Sequence, residues 1–100
     1  MIKHIVMWKL KDFSNGNDKV QNAKIMKERL EKLPEIIPEV SFLEVGIDVS
    51  NSSSSYDVVL CSEFESEEKL KVYANHPEHL KVGEFIAEVK EERIVVDYLV

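Results

Sequence analysis

The chain has a single cysteine, Cys61, so no intrachain disulfide can form and no cysteine-based zinc site can be built. Arginine is nearly as scarce. Arg29 and Arg93 are the only two among 13 basic residues, against 19 acidic ones, and the net charge is −6. A phosphate-binding surface needs clustered Lys and Arg. Here the lysines are scattered among acids along helix-like stretches, which excludes nucleic acid as a partner. No run approaches the roughly 20 apolar residues of a membrane-spanning helix. The opening segment Met1 to Lys9 is apolar but broken by Lys3 and Lys9, and it lacks the small-residue cleavage site of a signal peptide. These absences predict a cytoplasmic protein with neither a membrane nor a nucleic-acid partner.

What is present is apolar sequence in quantity. Of 100 residues, 44% are hydrophobic, and the length suits one domain spanning residues 1–100. A chain this short buries only about two-thirds of its unfolded surface. That much apolar sequence therefore predicts that some of it is covered by a second copy of the chain.

The periodicity divides the chain into six elements. Ile2 to Leu10 alternates as a strand, with His4, Val6, Trp8 and Leu10 on one face and Ile5 and Met7 on the other. After a loop with capping residues at Ser14–Asn17, Val20, Ala23, Met26, Leu30 and Leu33 recur at helical spacing, and Pro34 and Pro38 end that helix. Val40 to Val49 and Tyr56 to Phe64 read as strands separated by the serine-rich loop Ser50 to Ser55. Ser66 is the expected N-cap of a helix carrying Leu70 and Tyr73. Pro77 restarts a second helical piece on which His79, Val82, Ile86 and Val89 share a face. Ile94 to Val100 closes the chain as a strand.

The order β-α-β-β-α-β predicts an α+β, ferredoxin-like fold: a four-stranded antiparallel sheet with helices on one face. The other face of such a sheet ordinarily meets water and is polar. Here Ile5, Met7, Val59, Cys61 and the apolar run Ile94–Val96 make it apolar, so the reading predicts a homodimer packed sheet against sheet.

Two of the three histidines and one tyrosine lie within Tyr73-Ala74-Asn75-His76-Pro77-Glu78-His79. Histidine and tyrosine suit acid–base chemistry without a cofactor. His79 is the candidate general base and Tyr73 the candidate donor to a carbonyl oxygen. The bland alternative makes His79 a buried structural histidine bonded to a backbone carbonyl. His76, before proline, is expected to cap the turn. His4 projects from the helix-facing side of the first strand, where it is either satisfied core or a member of the site. Trp8 on that face either lines a pocket or is ordinary core. A metal held by His4, His76 and His79 lacks the carboxylate or thiolate that such sites usually add, so no metal or other cofactor is expected. Cys61, with no cationic neighbour, reads as inert core.

Taken together, Lys3-His4-Ile5-Val6-Met7-Trp8-Lys9-Leu10-Lys11, Ile36-Ile37-Pro38, Phe64-Glu65-Ser66, Tyr73 to His79 and Val96-Asp97-Tyr98 resemble the stress-responsive dimeric α/β-barrel (Dabb) family across essentially the whole chain. The resemblance implies a homodimer whose two sheets form one barrel with the helices outside. The family includes stress-induced plant proteins and a cofactor-free polyketide cyclase with its site between sheet and helices. By that resemblance the catalytic residues would be His79, Tyr73 and His4, in a pocket formed by Val6, Trp8, Leu30, Val58 and Val82. Val58 stands where the cyclase has a histidine, and Leu30 stands near the place of an aromatic residue. The resemblance therefore implies a pocket for a small apolar or aromatic molecule, with cofactor-independent lyase or cyclase activity on a polyketide-like ketone as the alternative.

Overall fold

A computed structural model describes residues 1–100. The strands β1 (Ile2–Leu10), β4 (Phe42–Ile47), β5 (Val58–Phe64) and β6 (Lys90–Leu99) form one antiparallel sheet in the order β4-β5-β1-β6. Phe13–Ser14 (β2) and Asn17–Asp18 (β3) form a small separate hairpin. The helices are α1 (Lys19–Glu31), α2 (Leu33–Ile36), α3 (Glu67–Asn75) and α4 (Pro77–Val89). This is the ferredoxin-like α+β arrangement expected from the element order.

Alternation along the strands sorts the sheet into two chemically distinct faces. Towards the helices, Val6 lies across from Leu60 and Val95, and Trp8 across from Val58 and Arg93. The core gathers on this side, from Val6, Trp8 and Leu10 through Met26 and Leu30 of α1 to Val82, Ile86 and Val89 of α4. On the outer face Met7 lies between Val59 and Ile94, and Ile5 between Cys61 and Val96. Met7, Ile94, Val96, Tyr98 and Phe42 are all exposed there.

Local chemistry explains where the helices begin and end. Asp18 caps α1: its carboxylate accepts from the Gln21 N–H, while the Gln21 side chain accepts from the Asp18 N–H. Ser66 caps α3 by accepting from the Lys69 N–H. The residue before a proline is driven out of the helical region. His76 accordingly sits at φ −65°, ψ 136°, which separates α3 from α4. Its Nδ1 accepts from the Glu78 N–H at 3.1 Å, so His76 caps α4.

Several boundaries differ from the sequence reading. The Ser14–Asn17 loop is a two-residue hairpin turn, with Asn15 (φ 58°) and Gly16 (φ 81°) both left-handed, the geometry that an Asn-Gly pair favours. Val20 does not join the core face of α1 but is exposed, and Asn22 is buried in its place, donating to the Ser14 carbonyl. Pro34 lies within the short helix α2 rather than after the helical region. Val49 falls beyond β4 and is 96% exposed. β6 begins at Lys90, four residues before Ile94, directly from the end of α4. Cys61 is half-buried on the outer sheet face rather than in the core.

The edge strand β4 is strapped by α1. Lys27 Nζ donates to the Val45 carbonyl, and the Val45 N–H donates to the Glu31 carboxylate. The hydrogen bond from Lys27 holds the Glu31 carboxyl below its ordinary range, outweighing partial burial. Free backbone groups of an edge strand invite pairing with another chain, and this strap occupies both of those on Val45.

Candidate functional site

The α3–α4 break builds half of the site. In a continuous helix the Ala74 carbonyl would accept from residue 78. The break leaves it unpaired, because the Glu78 N–H is taken by His76. The Nδ1–H of His79 fills the gap by donating to the Ala74 carbonyl at 3.0 Å. A carbonyl can only accept, so the proton lies on Nδ1 and Nε2 is left as the free, basic ring nitrogen. Burial favours the neutral ring and pushes the His79 pKa below the ordinary imidazole value. The bond to Ala74 opposes that shift, and the positive charge of Arg93 adds to it.

The other half comes from the sheet. His4 on β1 lies between Ser62 of β5 and Asp97 of β6. Its Nδ1 donates to Asp97 Oδ1 at 2.5 Å, so Nε2 lies outside this pair. Aromatic rings bridge the two histidines. His4 meets Phe64 edge-on with centroids 6.4 Å apart, Phe64 meets Tyr73 at 5.1 Å, and Tyr73 meets His79 at 4.5 Å.

Between sheet and helices lies a cavity of about 130 Å³. Six residues expected from the sequence line it: His4, Val6, Trp8, Leu30, His79 and Val82. Two do not. β5 contributes Leu60, the ladder partner of Val6, instead of Val58, which lies one step further along beside Trp8. Tyr73 is fully buried behind His79, its hydroxyl has no hydrogen-bond partner, and burial pushes its pKa up. It packs against the imidazole without lining the cavity.

The sequence reading missed Asp97, Lys90 and Arg93. Asp97 orients His4, while Lys90 and Arg93 line the cavity. Alternation along β6 was the available signal. A strand started at Lys90 puts Arg93, Val95 and Asp97 on the helix side, opposite Trp8, Val6 and His4. A wider groove of about 670 Å³ runs between α3 and β6, past Leu70, Ala74, Asp97 and Leu99. His4 lines both spaces, so the His4–Asp97 pair stands between groove and cavity. No group of three His, Cys, Asp or Glu side chains is placed to hold a metal ion. No helix is long and apolar enough to cross a membrane.

The arrangement therefore offers a small apolar chamber with two imidazoles, of which His79 can accept a proton at Nε2. The stress responsive A/B barrel domain family matches residues 2–100. The chain is 24% identical over 99 residues to the stress-response A/B barrel domain-containing protein DABB1 of Arabidopsis thaliana, covering 99% of this chain and 47% of that protein. It thus spans about half the length of this curated relative. A dimeric protein of ferredoxin-like fold from Bacteroides fragilis superposes with a TM-score of 0.88 at 38% identity, covering 99% of this chain and 95% of that one. The hydroxynitrile lyase of Passiflora edulis shares the fold, with a TM-score of 0.79 at 19% identity over 99% of this chain and 92% of that one.

Proposed function

This chain belongs to the stress-responsive A/B barrel domain family, and on that premise we propose that it is a homodimer that binds a small apolar or aromatic molecule between sheet and helices. The observation that carries this reading is the cavity itself, on which His4, Val6, Trp8, Leu30, His79 and Val82 converge from three elements. An apolar cavity of roughly 150 Å³ takes one benzene ring, whereas drug-sized ligands need about 300 Å³ or more. At about 130 Å³ the chamber suits a single ring or a short branched chain. The dimer is supported by the exposed apolar outer face and by the dimeric Bacteroides fragilis relative.

Trp8 is the only tryptophan and lines the cavity, so its emission reports occupancy. Titration with phenol, benzaldehyde and acetophenone should shift or quench that emission saturably. Gly83 also lines the cavity, and a Cβ there would meet nothing within 4 Å. Gly83→Leu should therefore fill the chamber and abolish the response. An unaltered emission with all three probes would sink the binding reading.

A second reading has its own observation: His79 is held neutral with Nε2 free, the state a general base needs at neutral pH. Here the chain would be a cofactor-independent lyase or cyclase. His79 would take a proton alpha to the carbonyl of a small polyketide-like ketone, with His4 supporting; the Tyr73 hydroxyl, expected from the sequence as the oxyanion donor, is sealed behind the imidazole and lines no part of the cavity. The Passiflora edulis enzyme is a lyase on the same fold. Deuterium exchange at the alpha carbon of acetophenone, lost in His79→Asn, would support this reading. Exchange no faster than in buffer would remove it for this class of ketone.

A further inference from the structure

The two ends of the cavity differ in polarity. α4 forms one long wall, with His79 in its first turn and Lys90 one residue past its end. β1 runs along the floor, with His4 and Trp8 four residues apart, about 13 Å at the usual strand rise. Arg93 lies across the ladder from Trp8. One end thus carries the two imidazoles of His4 and His79. The other carries Trp8, Lys90 and Arg93.

That second end holds donors without acceptors. The indole Nε1–H of Trp8 is buried and has no hydrogen-bond partner, and Trp8 is only 4% exposed. A buried N–H without a partner costs about 1–3 kcal/mol, but this one has no accessible surface and lies within the wall, closed off from the cavity. Neither Lys90 nor Arg93 pairs with any carboxylate, although other lysines of the chain do. No Asp or Glu lines the cavity, in a chain with 19 acidic residues and a net charge of −6. Two unpaired cations, half-buried Lys90 and exposed Arg93, on a lining with no carboxylate suit a ligand that brings the negative charge with it.

Resting on the binding reading above, we infer that the ligand is a small carboxylic acid, bound as its anion. Its carboxylate lies at the Trp8–Lys90–Arg93 end, and its apolar body lies between Val6, Leu30 and Val82. Arg93 supplies the planar pair of donors that a carboxylate matches. Lys90 supplies further positive charge. The imidazole end then faces the far side of the ligand, where a hydroxyl or acidic C–H would meet Nε2. The competing account makes Lys90 a complement to the carboxyl end of α4 and Arg93 a solvated side chain. It gives the cavity no preference for an anion.

Matched probes separate these accounts: benzoate against benzamide, and 4-hydroxybenzoate against 4-hydroxybenzamide. They are titrated by Trp8 emission and calorimetry at pH 7.5 and low salt. Each acid should bind about tenfold more tightly than its amide, the scale of one charge-assisted hydrogen bond. Arg93→Gln should bring acid and amide within about threefold of each other, and Arg93→Lys should retain part of the preference. Circular dichroism and thermal melting verify that both variants fold. Equal binding of acid and amide to the native protein overturns the inference and leaves the cavity reading standing. A preference untouched by Arg93→Gln also overturns the assigned end. If neither member of either pair binds at millimolar concentration, the cavity reading fails and the inference fails with it.

Discussion

His4 and Asp97 face one another across the β1–β6 ladder, imidazole Nδ1 to carboxylate Oδ1, at 2.5 Å. The contact fixes Nδ1 of His4 as the donor to the carboxylate, and it does so at the wall between the cavity and the α3–β6 groove. Asp97→Asn removes the carboxylate and lets the side chain donate as well as accept. The Nδ1–H tautomer should dominate in the native protein and lose that dominance in Asp97→Asn, as read from the His4 ring ¹⁵N shifts. Asp97 is about half exposed, so the cost in stability should stay below about 1 kcal/mol.

His79 gives a pH dependence with a definite sign. Its folded pKa is lowered, so near and below the ordinary imidazole value the unfolded chain binds more protons than the folded one. The stability it contributes is complete above about pH 6.5 and is lost as the pH falls below that value. His79→Asn keeps a donor for the Ala74 carbonyl and removes the titration. Denaturant unfolding from pH 8 to pH 5 should show native stability falling more steeply than that of the variant. Parallel curves would contradict the neutral, half-buried imidazole.

Tyr73 separates packing from chemistry. Its hydroxyl is buried without a partner, so Tyr73→Phe removes an unsatisfied group and should be neutral or stabilising by about 1 kcal/mol. Tyr73→Ala empties a fully buried site beside Phe64 and His79 and should cost about 3–5 kcal/mol. Because the hydroxyl does not line the cavity, Tyr73→Phe should also leave any exchange on a ketone probe unchanged, and loss of exchange at full stability would contradict that placement.

Gly83 lies inside α4, where glycine costs about 0.5–1 kcal/mol relative to alanine. Nothing stands within 4 Å of a Cβ there, so no packing demand explains the glycine. The space it leaves belongs to the cavity. Gly83→Ala should raise stability by about 0.5–1 kcal/mol in denaturant unfolding while weakening binding of ring-sized probes. A variant both less stable and equally competent would contradict that trade.

The outer sheet face predicts assembly. Light scattering at micromolar concentration should give about twice the 11.6 kDa chain mass. Val96→Glu places a charge in the middle of that face, across from Ile5, and should shift the protein to monomer.

The fold was legible because period-two and period-3.6 patterns rarely conflict along this chain. Val6 and Trp8 against Ile5 and Met7 already contain the two faces of the sheet. The start of β6 was hidden because Lys90-Glu91-Glu92-Arg93 is charged on both faces. The strand forms there because β1 supplies a partner through Leu10, not because those residues favour a sheet. Cavity residues on one strand or one helix face, such as Val6 with Trp8 or His79 with Val82, could be grouped by spacing alone. Asp97 and Arg93 could not, because their places beside His4 and Trp8 depend on a register that links residues about 90 apart in sequence. Tyr73 was drawn to the site by its nearness to His79 in sequence, whereas the helix turn directs its ring into the core behind the imidazole.

The central claim is that the space between sheet and helices is a binding site. Amide and indole shift mapping with 4-hydroxybenzoate tests it most directly. The account predicts saturable shifts concentrated on the Trp8 indole N–H, Val6, Leu30, Val82 and Gly83. Shifts confined to the outer sheet face around Met7 and Val96, or none at all, would contradict it.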